Sequence, residues 1–512
     1  LEDCIHKETT IVRSVTTPFL FAATLLGTAM PVAPASAHRP ASESMAWSNR
    51  LTWGVSSNWS ASDDHGLVNQ PSANDTLPPA ALQQIARMRI SNEPMAALVV
   101  EEDAQNRAAN AIGDPDQKKA AKQAFQQSMN TLANEAATRS ILRDLYASDQ
   151  LREQLTWFWF NHFNVQAQKR DIRAMVGDYE DQAIRAHALG KFRDLLEATL
   201  RHPAMLRYLD NDQNAAGHIN ENYARELMEL HSMGVGSGYS QKDVQELARI
   251  LTGVGVDLKP ESPKLKPQWQ PLFIRAGLFE FNPARHDFGD KQFLGHEIKG
   301  SGYREVEQAL DLIARSPATA HHVSEQLATY FMGDAPPPAV IDRMTSAWRS
   351  SDGNIPQVLG VMFRSPEFTA SLGHVFKDPI HYVTSAVRMA YGDRVILNSQ
   401  PIINWMQRMG EGLYAHETPD GYSLASAAWT GPGQMSVRFE IARQVGAGSS
   451  GLFKSSEPGA VDQPAFPQLQ NALYYAGIAD TLRLPTKAVL AQSTSPQEWN
   501  ALFLSSPDFM RR

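Results

Sequence analysis

Residues Asn220-Glu221-Asn222-Tyr223-Ala224-Arg225-Glu226-Leu227-Met228-Glu229-Leu230-His231 decide how this chain is read. At about 100° per residue, Tyr223, Ala224, Leu227, Met228 and Leu230 gather on one helical face. Asn222, Arg225, Glu226 and Glu229 gather on the other. Gly234, Gly236 and Gly238 then supply a permissive turn, and Ser240 with Asp243 supplies a capping box for a second helix. That helix turns Val244, Leu247, Ala248 and Leu251 inward and stops at Gly253. The spacing predicts an αα-hairpin whose first helix is capped by Asn220.

Helical period extends outward from this hairpin, over residues 81 to about 257. Ala104 to Ala147, rich in Ala, Gln, Lys and Glu, predicts exposed helix. Leu151 to Phe163 holds Trp157-Phe158-Trp159-Phe160, is apolar on every side, and predicts a central buried helix. Ile172 to Leu189 predicts one amphipathic helix with Val176, Tyr179, Ala183 and Ile184 inward, and Lys191 to Leu200 a further helix ended at His202-Pro203. Residues 258 to 275 are Pro-rich and read as a loop or lid. Phe279-Glu280-Phe281 and Gln292-Phe293-Leu294 read as the two strands of a small hairpin, joined through His286-Asp287. Helices resume after residue 303, where Ser316-Pro317, Ser365-Pro366 and Ser506-Pro507 have the chemistry of helix starts. The expected fold is mainly α, one large multi-helix domain over 81–512 with residues 258–300 as a loop and β-hairpin insertion.

The first 37 residues read as an export signal: Lys7 and Arg13, a short apolar core from Pro18 to Met30, and Ala35-Ser36-Ala37 before a cut. Residues 38–80 read as an irregular lead-in, with Arg50 to Gly54 as a docking segment. The expected protein is periplasmic or secreted, with no transmembrane segment. Cys4, the one cysteine, falls in the signal, which leaves the mature chain without disulfide, thiolate metal site or cysteine nucleophile. Removing the signal leaves 45 basic and 52 acidic side chains, a mild acidity that argues against nucleic acid as a partner.

The polar face at 222–229 has two explanations: surface pairs Glu221–Arg225 and Arg225–Glu229, or the wall of a site. Seven of the fifteen histidines lie between residues 151 and 301, so several could converge with Asp210, Glu226 and Asp287. His231, near a helix end, reads first as a capping histidine and second as a site residue. Adjacent His286 and Asp287 on a loop suit acid–base chemistry, with a turn-stabilising Asp as the plainer alternative. Neither HExxH nor Glu-x-x-His occurs, so metal and cofactor stay unassigned. The Gly234-x-Gly236-x-Gly238 run joins two helices, which excludes a dinucleotide fingerprint, and there is no Walker A or G-x-S-x-G sequence.

The segments Trp157–Val165, Tyr179–Gly190, Arg201–Asn211 and Asn220–Gly253 resemble the signature blocks of the bacterial family called domain of unknown function 1800. So do His286-Asp287 with Lys291 and Leu294-Gly295, Ser316-Pro317-Ala318-Thr319-Ala320, and Pro336-Pro337-Pro338, over roughly residues 45 to 512. Ser316 stands where the family usually has His, and Val254 where it usually has Trp. The resemblance implies an exported, mostly helical bacterial protein, often encoded beside a sulfatase- or phosphatase-like secreted partner, and carries no reaction. It marks His162, Arg185, His187, His202, Asp210, Asn211, Asn222, Arg225, Glu226, Glu229, His231, His286 and Asp287 as candidate site residues.

Two functions follow as expectations. The first is a hydrolase on an envelope or environmental polymer such as a glycan. There Glu226 or Glu229 is general acid or base, and His286-Asp287 the second catalytic pair; Asn161, Arg185, Asn222 and Arg225 orient the substrate. The second is a non-catalytic scaffold or accessory protein for the sulfatase-like partner. The two separate on geometry: a concave pocket lined by Glu226, Glu229, His202, His231 and His286 favours the enzyme, and closed mutual pairing favours the scaffold.

Overall fold

The computed structural model describes residues 41–57, 59, 76–259, 261–455, 464–475 and 477–512; the expected export signal lies outside them. The fold is mainly α with two small antiparallel sheets, as the periodicity predicts. None of its described helices is long and apolar enough to cross a membrane.

The expected irregular lead-in is corrected at its start, where Ala41–Leu51 is a helix. Ser44, Trp47, Ser48 and Leu51 recur at i, i+3, i+4 and i+7, and all four are buried. Two serines in the stripe hide it from a reading that counts only apolar residues. The docking expectation for Arg50 to Gly54 holds: Leu51 and Trp53 are buried, and the Arg50 guanidinium donates to the carbonyls of Phe331, Ser371 and Arg512. Gly54 has φ of +103°, and a Cβ there would lie 2.5 Å from the Ser385 Cβ, so only glycine lets this segment close.

Gln150–His162 is the expected central helix, with Leu155, Phe158, Trp159 and Phe160 buried. The run read as one exposed helix is two, Met95–Ala111 and Pro115–Tyr146. Asp114 restarts the chain by accepting from the Gln117 amide, and the second helix buries its last turns through Arg139, Ile141, Leu142, Asp144 and Leu145. Residues 172–187 form no single helix. A 3-10 turn, an α turn, a π-helix at Tyr179–Ile184 and another 3-10 turn follow one another. The four inward residues are nonetheless buried as expected, and the wide π turn also puts Glu180 inside.

The αα-hairpin is present as Asn222–Glu229 and Gln241–Ile250, with the Ser240–Asp243 capping box formed in both directions. Asn220 holds the first turn from one residue beyond the cap, accepting from the Asn222 amide at 3.0 Å. Phe279–Phe281 and Lys291–Phe293 are both strands, yet they do not pair with each other. Strand β3 (Phe279–Phe281) lies between β1 (Val254–Val256) and β2 (Ile274–Ala276), with Phe281 opposite Val254 and Ile274. Strand β4 (Lys291–Phe293) pairs instead with β5 (His296–Ile298). The two turn residues Leu294 and Gly295 have φ of +47° and +78°, the positive pair that a tight hairpin requires. Both strand segments therefore turn back locally, and the stretch between them is free to run inward. Ser316 and Ser365 cap their helices as the Ser-Pro motif predicts.

Candidate functional site

The chain enters the expected site at Gly253. Its φ is +80°, and a Cβ there would lie 2.6 Å from the Asn282 carbonyl. The Asn282 amide donates to the Gly253 carbonyl at 2.8 Å, which ties β3 to the end of the hairpin. The following 3-10 turn, Pro283–Arg285, drops His286 into the interior. His286 Nδ1 lies 2.8 Å from the Thr252 carbonyl and Nε2 lies 2.9 Å from Glu305 Oε1. Both ring nitrogens thus lie against oxygen atoms. Glu305 also accepts from Lys291 Nζ and from the amides of Ser301 and Gly302 at 2.6 and 2.9 Å. Burial acts to raise the Glu305 carboxyl, but the bonds from His286 and Lys291 outweigh it and hold the group below its ordinary range. The side chains of His286, Lys291 and Glu305 expose no surface. Asp287 faces the other way, where Arg249 grips it at 2.9 and 3.2 Å and the Gly289 amide donates at 2.8 Å. The adjacent pair therefore has two separate sets of partners.

Around the αα-hairpin, amide side chains close the ends of helices. Asn211 Nδ2 donates to the carbonyls of Leu251 and Val254, and Asn214 Nδ2 to that of Ala248. Asn222 Nδ2 donates to the Leu209 carbonyl at 3.1 Å. Asp210, at φ +58°, takes a 2.8 Å bond from Lys169. His202 Nδ1 accepts from the Ala204 amide, capping the next helix, while Nε2 meets Asp178 at 3.0 Å. Arg225 reaches Glu221 at 3.2 Å, Glu229 at 3.3 Å and Gln241 at 2.9 Å. The contacts with Glu221 and Glu229 are the surface pairs expected at i,i+4, each worth about 0.3–0.5 kcal/mol. Glu226 differs from its neighbours. It is half-buried, and burial, then the Glu229 charge, push its carboxyl up from the ordinary value, with Asp420 adding to the effect.

His162 and His231 come together behind this helix. His162 Nε2 lies 3.1 Å from the His231 carbonyl, and the rings are 6.3 Å apart. Burial pushes His162 down to about 3 and His231 to about 4, so both are neutral at ordinary pH. The capping role expected of His231 is not what the geometry gives: its ring is buried, and neither ring nitrogen reaches hydrogen-bond geometry. His187 Nδ1 stays local, 3.1 Å from the Ala183 carbonyl. Arg185 pairs with buried Glu153 at 2.6 Å, and Asn161 clamps Tyr422 through both its amide atoms. Among the described residues, no three His, Cys, Asp or Glu side chains converge as a metal site would need.

Sequence reasoning missed a second body of buried charge, which begins at Lys377. Asp378 caps the helix Pro379–Tyr391 and holds His381 Nδ1 at 2.7 Å, and His381 Nε2 faces the Tyr330 hydroxyl at 3.2 Å. Around them lie Lys377, Glu411, Arg438 and Arg512, all buried. The one signal available, Asp378 before Pro379, reads as an ordinary helix start and gives no hint of the rest.

The family model described as "Protein of unknown function (DUF1800)" matches residues 46–511. No curated protein and no solved structure matches the chain.

Proposed function

This chain belongs to the DUF1800 family, whose description carries no activity, and we propose that it works by binding, as an exported accessory protein for a sulfatase-like secreted partner. The observation that carries this reading is the closed knot of His286, Glu305 and Lys291, which uses the best acid–base candidate to fix one chain crossing. Arg185, Asp210, Arg225, Glu229 and Asp287 likewise have their charges matched by close neighbours, and both ring nitrogens of His202 are bonded. Such pairing fixes helix register and leaves little for a substrate. The test is co-expression with a secreted sulfatase-like protein of the same genome, followed by size-exclusion chromatography of the periplasmic fraction. Co-elution at a defined ratio supports the reading; separate elution at micromolar concentration sinks it.

One observation favours the hydrolase instead. A half-buried carboxyl raised by burial and a second carboxylate, as Glu226 is, suits a general acid. On that reading, purified protein turns over an envelope glycan and Glu226→Gln abolishes the turnover with folding intact. A variant that retains full turnover removes Glu226 from consideration.

A further inference from the structure

Beside the second body of charge lies a cavity of about 480 Å³, within the size range of small-molecule sites. It is bounded by the helix Ala41–Leu51, the segment before Pro379, the helix Pro379–Tyr391 and the C-terminal stretch. Its apolar wall includes Val55, Met389, Phe503 and Phe509, and its polar wall includes Lys377 and Arg512. Both cations are buried. Lys377 Nζ donates to Ser385 Oγ at 3.0 Å and sits 3.9 Å above the Phe509 ring. Arg512 donates to Gln154 and to the Tyr330 carbonyl, which leaves its Nε buried without a partner. Among the described residues, neither cation has a carboxylate within salt-bridge distance, and Asp508, the acid on the cavity wall, is held by Arg483. Nearby Asp378 is bonded to His381 and attracts Arg512 from beyond salt-bridge distance, and burial holds the Glu411 carboxyl well above its usual range.

Two buried basic side chains with no carboxylate in direct contact cost several kcal/mol when charged, unless something supplies a close partner. The cost falls at the wall of a cavity with an apolar side formed by Val55, Met389, Ile478, Leu482, Phe503 and Phe509. We propose that this cavity is a binding site for a small amphipathic oxyanion, a carboxylate, phosphate or sulfonate head on an apolar body of about ten heavy atoms. The head pairs with Lys377 and Arg512, and the body lies against Met389, Phe503 and Phe509. The site lies in a different part of the chain from the Glu226 face and depends on neither functional reading.

Titration calorimetry with decanoate and with decanol tests it on the full chain. One equivalent of decanoate binds, and decanol or inorganic phosphate alone binds at least about tenfold more weakly, because each supplies half of the recognition. Lys377→Met keeps the shape and removes the charge, so decanoate affinity falls on the order of tenfold to a hundredfold. Met389→Trp fills the apolar end without touching either cation and also abolishes binding. Equal affinities for decanoate and decanol, or undiminished decanoate binding in Lys377→Met, overturn the proposal. So does the absence of any saturable decanoate site in wild-type protein whose unfolding is cooperative.

Discussion

The knot at Glu305 and the cavity at Lys377 bury charge in opposite ways. At the knot, one carboxylate receives His286, Lys291 and two backbone amides, and nothing is left exposed. At the cavity, Lys377 and Arg512 lie inside with a hydroxyl, an amide oxygen and a carbonyl for company. A matched buried charge is an internal fastening, and breaking it harms the fold. An unmatched one at a cavity wall is a deficit that a ligand can fill.

The comparison breaks most visibly at Glu305. Glu305→Ala strands the buried Lys291 ammonium, leaves His286 Nε2 without its partner, and should cost about 3–5 kcal/mol, read as a lower urea midpoint. Because the Glu305 carboxyl is held below its ordinary value of 4.5, its contribution is complete above that value and fades as pH falls through the folded one. Wild-type stability should therefore drop more steeply below pH 4.5 than that of the alanine variant. Gly253→Ala should cost about 1–3 kcal/mol, since it demands a positive φ and displaces the Asn282 carbonyl. A midpoint within error of wild type would show that β3 is not tied to the hairpin in this way.

Lys377→Met should do the reverse, raising stability at pH 7 by on the order of 1 kcal/mol. Burial, with Arg512 and Arg438 adding, pushes the Lys377 amine down to about 7 from its ordinary 10.5. Between those values the unfolded chain holds the extra proton, so wild-type stability gains from this group as pH rises from 7 towards 10.5. The methionine variant lacks that gain, and urea midpoints at pH 7 and pH 9.5 measure the difference. Arg225→Ala, which removes solvent-exposed pairs, should change stability by no more than about 0.5 kcal/mol. A larger loss would mean that the polar face is more than a set of surface pairs.

What the sequence made legible follows the reach of each interaction. The αα-hairpin was readable because Ser240 and Asp243 decide its second helix within four residues. The pairing of β3 was not, because its neighbours β1 and β2 look no different locally from β4. The broken helix at 172–187 kept its inward residues, and the π turn that spaces them left no trace in the periodicity. For the candidate site, residue types were informative and partners were not. His286 was picked out, whereas Glu305 passed unnoticed as an acidic residue in the first turn of the Tyr303–Arg315 helix. Lys377, between Phe376 and Asp378, looks like a surface lysine until the chain around residues 509–512 folds over it.

The grip of Arg50 on the Arg512 carbonyl joins residues 462 apart in sequence. The helix Ala41–Leu51 therefore completes its seat only when the segment that carries Arg512 joins it. Trp47 packs on Phe368 and Arg50 also reaches Phe331 and Ser371, so the contact with Arg512 closes the longest of these loops, and loop closure on this scale is slow. The Arg50–Arg512 contact is thus placed to form late in folding.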